Sequence, residues 1–259
     1  MQTVISKDGT PIAFDQSGRG PAVILVVGAF NDRSTGAPLA AQLSERFTVF
    51  NYDRRGRGAS GDTAPYATLH EIEDLEALIT EAGGSASVFG YSSGAILALM
   101  AVARGLPITK LACYEPPFLV DAQTTRQFKE LVEQLAELFA SGQRGEAVEL
   151  FQTQALGMPT SVVAQLRQAL IWPALEAIAH TLVYESTILG DMDVWAERMA
   201  SITVPTLVIS GGEVQARMRE AAQAVAAALP NAQFRSLEGQ THDIVPAVLA
   251  PVLEEFLAS

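Results

Sequence analysis

A chain of 259 residues, 49% of them hydrophobic, is long enough for one large α/β domain or for a core with an inserted body. Its 29 acidic against 17 basic residues give a net charge of −12, which excludes nucleic-acid backbones as expected partners. Its single cysteine, Cys113, excludes an internal disulfide framework.

Gln2–Ser6 and Thr10–Gln16 flank Lys7-Asp8-Gly9, a turn signal that predicts an opening β-hairpin. Ala22 to Val27 is continuously apolar, as a strand covered on both faces would be, and ends at Gly28-Ala29-Phe30-Asn31. Gly36 to Arg46 reads as a helix and Thr48 to Tyr52 as a strand. The latter runs into Asp53-Arg54-Arg55-Gly56-Arg57-Gly58-Ala59-Ser60. Thr68-Leu69-His70-Glu71 has capping-box spacing and opens a helix to about Ala82, which Gly83-Gly84 ends. Val88-Phe89 is a short buried strand and Ala95 to Ala103 an apolar helix. Leu111 to Tyr114 is the next strand, stopped at Glu115-Pro116-Pro117. From Phe118 to about Ser201 the strand signals cease. Thr124–Ala140, Gly145–Ala155, Ser161–Ile171, Pro173–Ile188 and Val194–Ala200 all read as helices. Val204 to Gly212 restarts the sheet, Val214 to Leu229 is a helix, and Ala232–Leu237 is the last strand. The loop Glu238-Gly239-Gln240-Thr241-His242-Asp243 and a helix from Ala247 to Leu257 complete the chain.

Eight strands with helices between them predict an α/β fold with a mostly parallel sheet. The core is expected over 1–117 and 202–259, with 118–201 as an inserted helical cap over the carboxyl ends of the strands, where open α/β sheets bind ligands. The cap is relatively apolar, through Phe118, Phe128, Leu131, Leu135, Phe139, Phe151, Leu156, Met158, Trp172, Tyr184 and Trp195. Most of these are expected in the cap's own interior rather than in a pocket.

Between Val88-Phe89 and Ala95 lies Gly90-Tyr91-Ser92-Ser93-Gly94, a G-x-S-x-G between a strand and a helix. That context presents a serine hydroxyl above a sheet on a sharp turn, with glycines letting neighbouring backbone pass close. The alternative is an ordinary Gly-Ser turn with Ser92 or Ser93 as a helix N-cap. On this motif and its flanks the chain resembles the α/β-hydrolase fold superfamily, over its whole length. The run from Asp53 to Ser60 is similar to the D-x-R-G-x-G-x-S turn common there, and a structural role is expected for it.

The resemblance implies a serine nucleophile, Ser92, with His242 as its base, because His242 follows the last strand where the family places that residue. His70 and His180 lie in a surface helix and in the cap. The family's His-Gly before the first oxyanion donor is Val27-Gly28 here, so the donors are placed at the N–H groups of Ala29 and Ser93, with Phe30 as the fallback for Ala29. The triad acid departs from the usual pattern, since Val214 stands where an Asp is expected. Glu115, after the strand that follows the elbow helix, is similar in position to the acid of the zearalenone-lactonase group. Glu213 is the alternative, and an arrangement lacking the acid the third. The implied activity is hydrolysis of an ester, lactone or similar acyl bond of a small apolar substrate. Cofactor-free C–C hydrolysis or perhydrolysis, and a non-catalytic ligand receptor, stay open as alternatives. Three scattered histidines and one cysteine build no metal cluster, and Gly18-Arg19-Gly20 is no dinucleotide fingerprint, so no metal or cofactor is expected. With neither a leader signal after Met1 nor an apolar run of membrane-spanning length, a cytoplasmic protein without a membrane partner is expected. A homodimer is left open.

Overall fold

The computed structural model describes residues 1–117, 122–191 and 198–258. The Lys7-Asp8-Gly9 turn joins β1 (Gln2–Ile5) to β2 (Pro11–Gly18), with Ser6 N–H donating to Thr10 O at 2.8 Å. Then come β3 (Ala22–Val26), β4 (Thr48–Tyr52), β5 (Ala86–Tyr91), β6 (Ile108–Tyr114), β7 (Thr206–Gly211) and β8 (Ala232–Leu237). They form one sheet in the order β1-β2-β4-β3-β5-β6-β7-β8. The pairs from β4 to β8 are parallel; β1 with β2 and β2 with β4 are antiparallel. This is the eight-stranded, mostly parallel sheet that the sequence predicts.

Alternation along each strand sends neighbours to opposite faces. Val23, Leu25, Val49, Phe89 and Ile209 pack on α1 (Arg33–Leu43) and α10 (Pro246–Ala258) through Leu39, Leu43, Leu249 and Leu253. Ile24, Val26, Phe50, Val88 and Val208 pack on α2 (Thr68–Glu81), α3 (Ser93–Ala103) and α9 (Ala216–Ala228). Burying each such aliphatic side chain contributes about 1.5–3 kcal/mol before chain entropy is subtracted. α3 is buried all round, which explains its lack of a polar face.

Between β6 and β7 the chain forms α4 (Ala122–Ala140), α5 (Arg144–Gln154), α6 (Thr160–Leu166), α7 (Trp172–Ala177) and α8 (Thr181–Gly190). Phe118, Trp195 and most of the expected helix Val194–Ala200 lie outside the described residues. Three expectations are corrected. First, α1 starts at Arg33 rather than Gly36, because Asp32 Oδ1 accepts the Ser34 N–H at 2.8 Å and caps the helix there. Second, Thr68 and Glu71 form no capping box. The N-cap is Ala67, Thr68 Oγ1 donates to Asp191 Oδ2 at 2.9 Å, and Glu71 turns inward to Arg54. Third, Pro173–Ile188 is two helices. The Thr181 N–H and hydroxyl both donate to Ile178 O, which diverts that carbonyl from a continuing helix.

Candidate active site

The carboxyl ends of β3, β5, β6 and β8 converge on one cavity of about 990 Å³. Ala29, Ser92, Ser93, Glu115 and His242 all line it. The expected residues come together from chain segments far apart in sequence, at the edge of the sheet where α/β ligands bind.

Ser92 links β5 to α3 with φ 55° and ψ −127°, a conformation that L residues rarely adopt. Its N–H donates to Tyr114 O and its carbonyl accepts from Ala95 N–H, both at 2.9 Å, so the turn is fixed at both ends. Close backbone approach explains the neighbouring glycines. A Cβ on Gly94 would strike the carbonyls of Val26 and Val27, and one on Gly28 would stand 2.9 Å from Ser92 Cβ. Ser92 caps no helix N–H with its side chain, so the ordinary N-cap alternative does not describe it.

Ser93 opens α3, so its N–H has no acceptor within that helix. Among the described residues no group accepts the Ala29 N–H. Two main-chain donors therefore flank the Ser92 turn. Phe30 has φ 60° and packs edge-on against Phe151 of α5, with centroids 5.6 Å apart.

His242 sits on the loop after β8. Tyr114 holds that loop by donating its hydroxyl to Thr241 O. Burial and the carboxylates of Glu115 and Asp243 push the Tyr114 phenol up, so it stays a donor. The Tyr91 ring packs on the imidazole at 5.0 Å. His242 Nδ1 lies 3.7 Å from Glu115 Oε2, and neither atom has a hydrogen-bond partner among the described residues. Glu115 is 2% exposed, has φ 53°, and accepts the Gly211 N–H on Oε1 at 2.6 Å. That bond leaves Oε2 as the oxygen facing the imidazole. Glu213, the alternative acid, is exposed, lies outside the cavity lining and has no ion pair with His242. Its N–H donates to Gln240 O at 2.9 Å.

The Asp53–Ser60 turn is scaffolding, as expected. Asp53 accepts from the N–H groups of Ala59 and Arg33 at 2.7 and 2.8 Å, and Ser60 Oγ donates to Asp53 O. Arg54 is fully buried. It grips Glu71 through two bonds of 2.6 and 2.8 Å and reaches Glu185 of α8 at 2.8 Å and Val27 O at 3.1 Å.

The insertion contributes more to the cavity than the sequence predicts. Of the nine described apolar residues expected in its interior, Phe128, Leu131, Phe151, Leu156 and Met158 line the cavity. Gln127, Glu130, Gln134 and Arg217 also line it, and local motifs did not single them out. The first three lie with Phe128 and Leu131 on one stripe of α4, and that 3–4 spacing was the available signal. Among the described residues no group of three or more His, Cys, Asp or Glu is placed to hold a metal ion. No described helix is long and apolar enough to cross a membrane.

The chain is similar over 99% of its length to all of an alpha/beta hydrolase from Sphaerobacter thermophilus, with 52% identity and a TM-score of 0.90. It shares its fold with an esterase from Thermogutta terrifontis, at 20% identity and a TM-score of 0.75 over 99% of this chain and 97% of that one. It also shares it with an enol-lactonase from Burkholderia xenovorans, at 21% identity and a TM-score of 0.70 over the whole of both chains. The chain spans about half of the length of the curated relatives it matches, 54% of one and 42% of two others. The model of the alpha/beta hydrolase family matches residues 23–253, and the chain belongs to that family.

Proposed function

We propose that this protein hydrolyses a carboxylic ester or lactone of a small apolar molecule through an acyl-enzyme. Ser92 is the nucleophile, His242 its base and Glu115 the acid. The N–H groups of Ala29 and Ser93 form the oxyanion hole, and the helices of residues 118–201 are a cap over them. The observation that carries the reading is the shared cavity. A serine on a strained strand-to-helix turn lines it, and so does an imidazole whose Nδ1 faces a buried carboxylate at 3.7 Å. The distance exceeds a hydrogen bond, and such contacts tighten when substrate binds.

His242 takes the Ser92 proton as the hydroxyl oxygen attacks the carbonyl carbon. Glu115 holds the imidazole's orientation and stabilises the imidazolium. The Ala29 and Ser93 N–H groups receive the developing negative oxygen; losing one such donor costs about 3 kcal/mol of barrier. His242 then gives its proton to the leaving alcohol. Water, deprotonated by His242, releases the acid and restores Ser92. Phe128, Leu131, Phe151, Leu189 and Met218 along the cavity suit an apolar acyl or alcohol group. The esterase and enol-lactonase of the same fold make ester chemistry the first to test. A cytoplasmic setting belongs to the proposal, and Cys113 is compatible with it as a buried thiol that burial pushes up.

A fluorophosphonate probe tests the reading. One label per chain is expected on Ser92, lost in His242→Ala, with ester turnover reduced about 10⁴-fold or more in Ser92→Ala. Glu115→Gln is expected to reduce turnover about 10²–10⁴-fold while Glu213→Gln stays near wild type. Stoichiometric labelling elsewhere, or full turnover by Glu115→Gln, overturns the assignment.

A further inference from the structure

Arg217 is the only arginine or lysine lining the cavity among the described residues. It belongs to α9 of the sheet core, yet its Nη2 donates to Leu156 O in the loop between α5 and α6 of the insertion. Its Nε donates to Gln215 Oε1 at 2.9 Å, which fixes the guanidinium plane. Gly157 provides the seat. It has φ +65°, and a Cβ there would stand 2.9 Å from both Nη1 and Nη2.

Arg217, Gln215 and Leu156 are exposed and line the cavity at once, so this contact lies at the rim. Glu130 and Glu220 also line the cavity, but no described acid lies within ion-pair distance of Arg217. The guanidinium is thus used as a fixed donor to a main-chain carbonyl, across the seam between the two walls. A side chain so held takes up room at the rim that a long substrate would need. Phe128, Leu131, Phe151 and Met218 line the same cavity and give it apolar surface.

We propose that Arg217, seated on Gly157 and bonded to Leu156, is a specificity-determining residue that limits the length of the chain the cavity accepts. The proposal rests on the ester-hydrolase reading of the same site and sharpens its substrate class to short-chain esters.

The test compares the wild type with Arg217→Ala and Gly157→Ala. The first removes the guanidinium; the second displaces it while keeping its charge. Both are assayed with p-nitrophenyl esters of four-carbon and ten-carbon acids. The ratio of kcat/KM, long over short, is expected to rise about fivefold or more in both variants, the scale of one net hydrogen bond. Thermal unfolding of Gly157→Ala checks that its positive φ has not unfolded the loop's surroundings. Calorimetric binding of decanamide against butanamide gives the same comparison without turnover, and binding of decanoate is measured beside them. If no ester is cleaved by the wild type, the hydrolase reading fails while the amide ratios still judge Arg217. Unchanged ratios in both variants overturn the proposal. So does a loss in Arg217→Ala confined to decanoate over decanamide, which would make Arg217 an anion anchor.

Discussion

Glu115 is placed by its backbone as much as by its side chain. A positive φ at the end of β6, a bond from its N–H to Ile209 O and another from Gly211 N–H to Oε1 leave its other oxygen facing His242. Two independent hydrogen bonds, one on its backbone and one on its side chain, hold this strained and buried acid in place. His180 shows the opposite case, a histidine disfavoured in its charged form. Burial lowers its pKa from the ordinary 6.5, the Arg144 guanidinium lowers it further, and Asp62, 3.6 Å from Nε2, only partly offsets this. The unfolded chain therefore binds this proton at a higher pH than the folded one. Stability from this group is fully present above pH 6.5 and is lost as pH falls from 6.5 towards the folded value. Urea midpoints at pH 7.5 and 5.5 should differ less in His180→Asn than in the wild type. An equal drop in both would assign the acid sensitivity to other groups.

At the scale of elements, strands were easier to read than helix ends. Ala22–Val26 has side chains packed on both faces of the sheet, so a continuous apolar run marked it directly. Helix starts depend on which side chain reaches which N–H, and distant partners decide that. Asp32 caps α1 through Ser34 N–H, and Asp32→Ala should cost about 1 kcal/mol, read as a lower urea midpoint with an unchanged slope. A wild-type midpoint would mean that the cap is redundant with the Arg33–Asp53 contacts beside it. Thr68-x-x-Glu71 had the spacing of a box, but Glu71 is taken by Arg54 and Thr68 by Asp191, 123 residues on. The site divides the same way. Ser92 was legible because its turn is encoded locally by Gly90 and Gly94, and His242 because the family resemblance implies a histidine after the last strand. Arg217 and the Gln127–Gln134 stripe of α4 were not, because facing the cavity is a property of how the insertion sits on the sheet.

Across the whole molecule, one buried charge cluster joins the insertion to the core. Arg54 and Arg57 meet Glu185 of α8, and Arg54 also grips Glu71 of α2; all four side chains are at most 1% exposed. Two cations and two anions balance, so the cluster is tolerable only when complete. The apolar core runs continuously from α2 and α3 into Phe128, Leu131, Phe151 and Leu182 of the insertion, which adds area but little specificity of orientation. Arg54 also donates to Val27 O, so the docking of α8 and the loop carrying Ala29 share one guanidinium. Glu185→Gln leaves Arg57 without its acid partner inside the protein and should cost about 3–5 kcal/mol. The expected loss is not uniform. Both tryptophans, Trp172 and Trp195, lie in the segment between β6 and β7, so tryptophan fluorescence reports the insertion while far-UV circular dichroism reports the entire chain. In the wild type the two urea transitions should coincide, as one cooperative unit requires. In Glu185→Gln the fluorescence midpoint should fall below the dichroism midpoint, because the insertion loses its charged attachment while the sheet keeps its ladder. Coincident transitions in the variant would show that apolar packing alone makes the two bodies one unit.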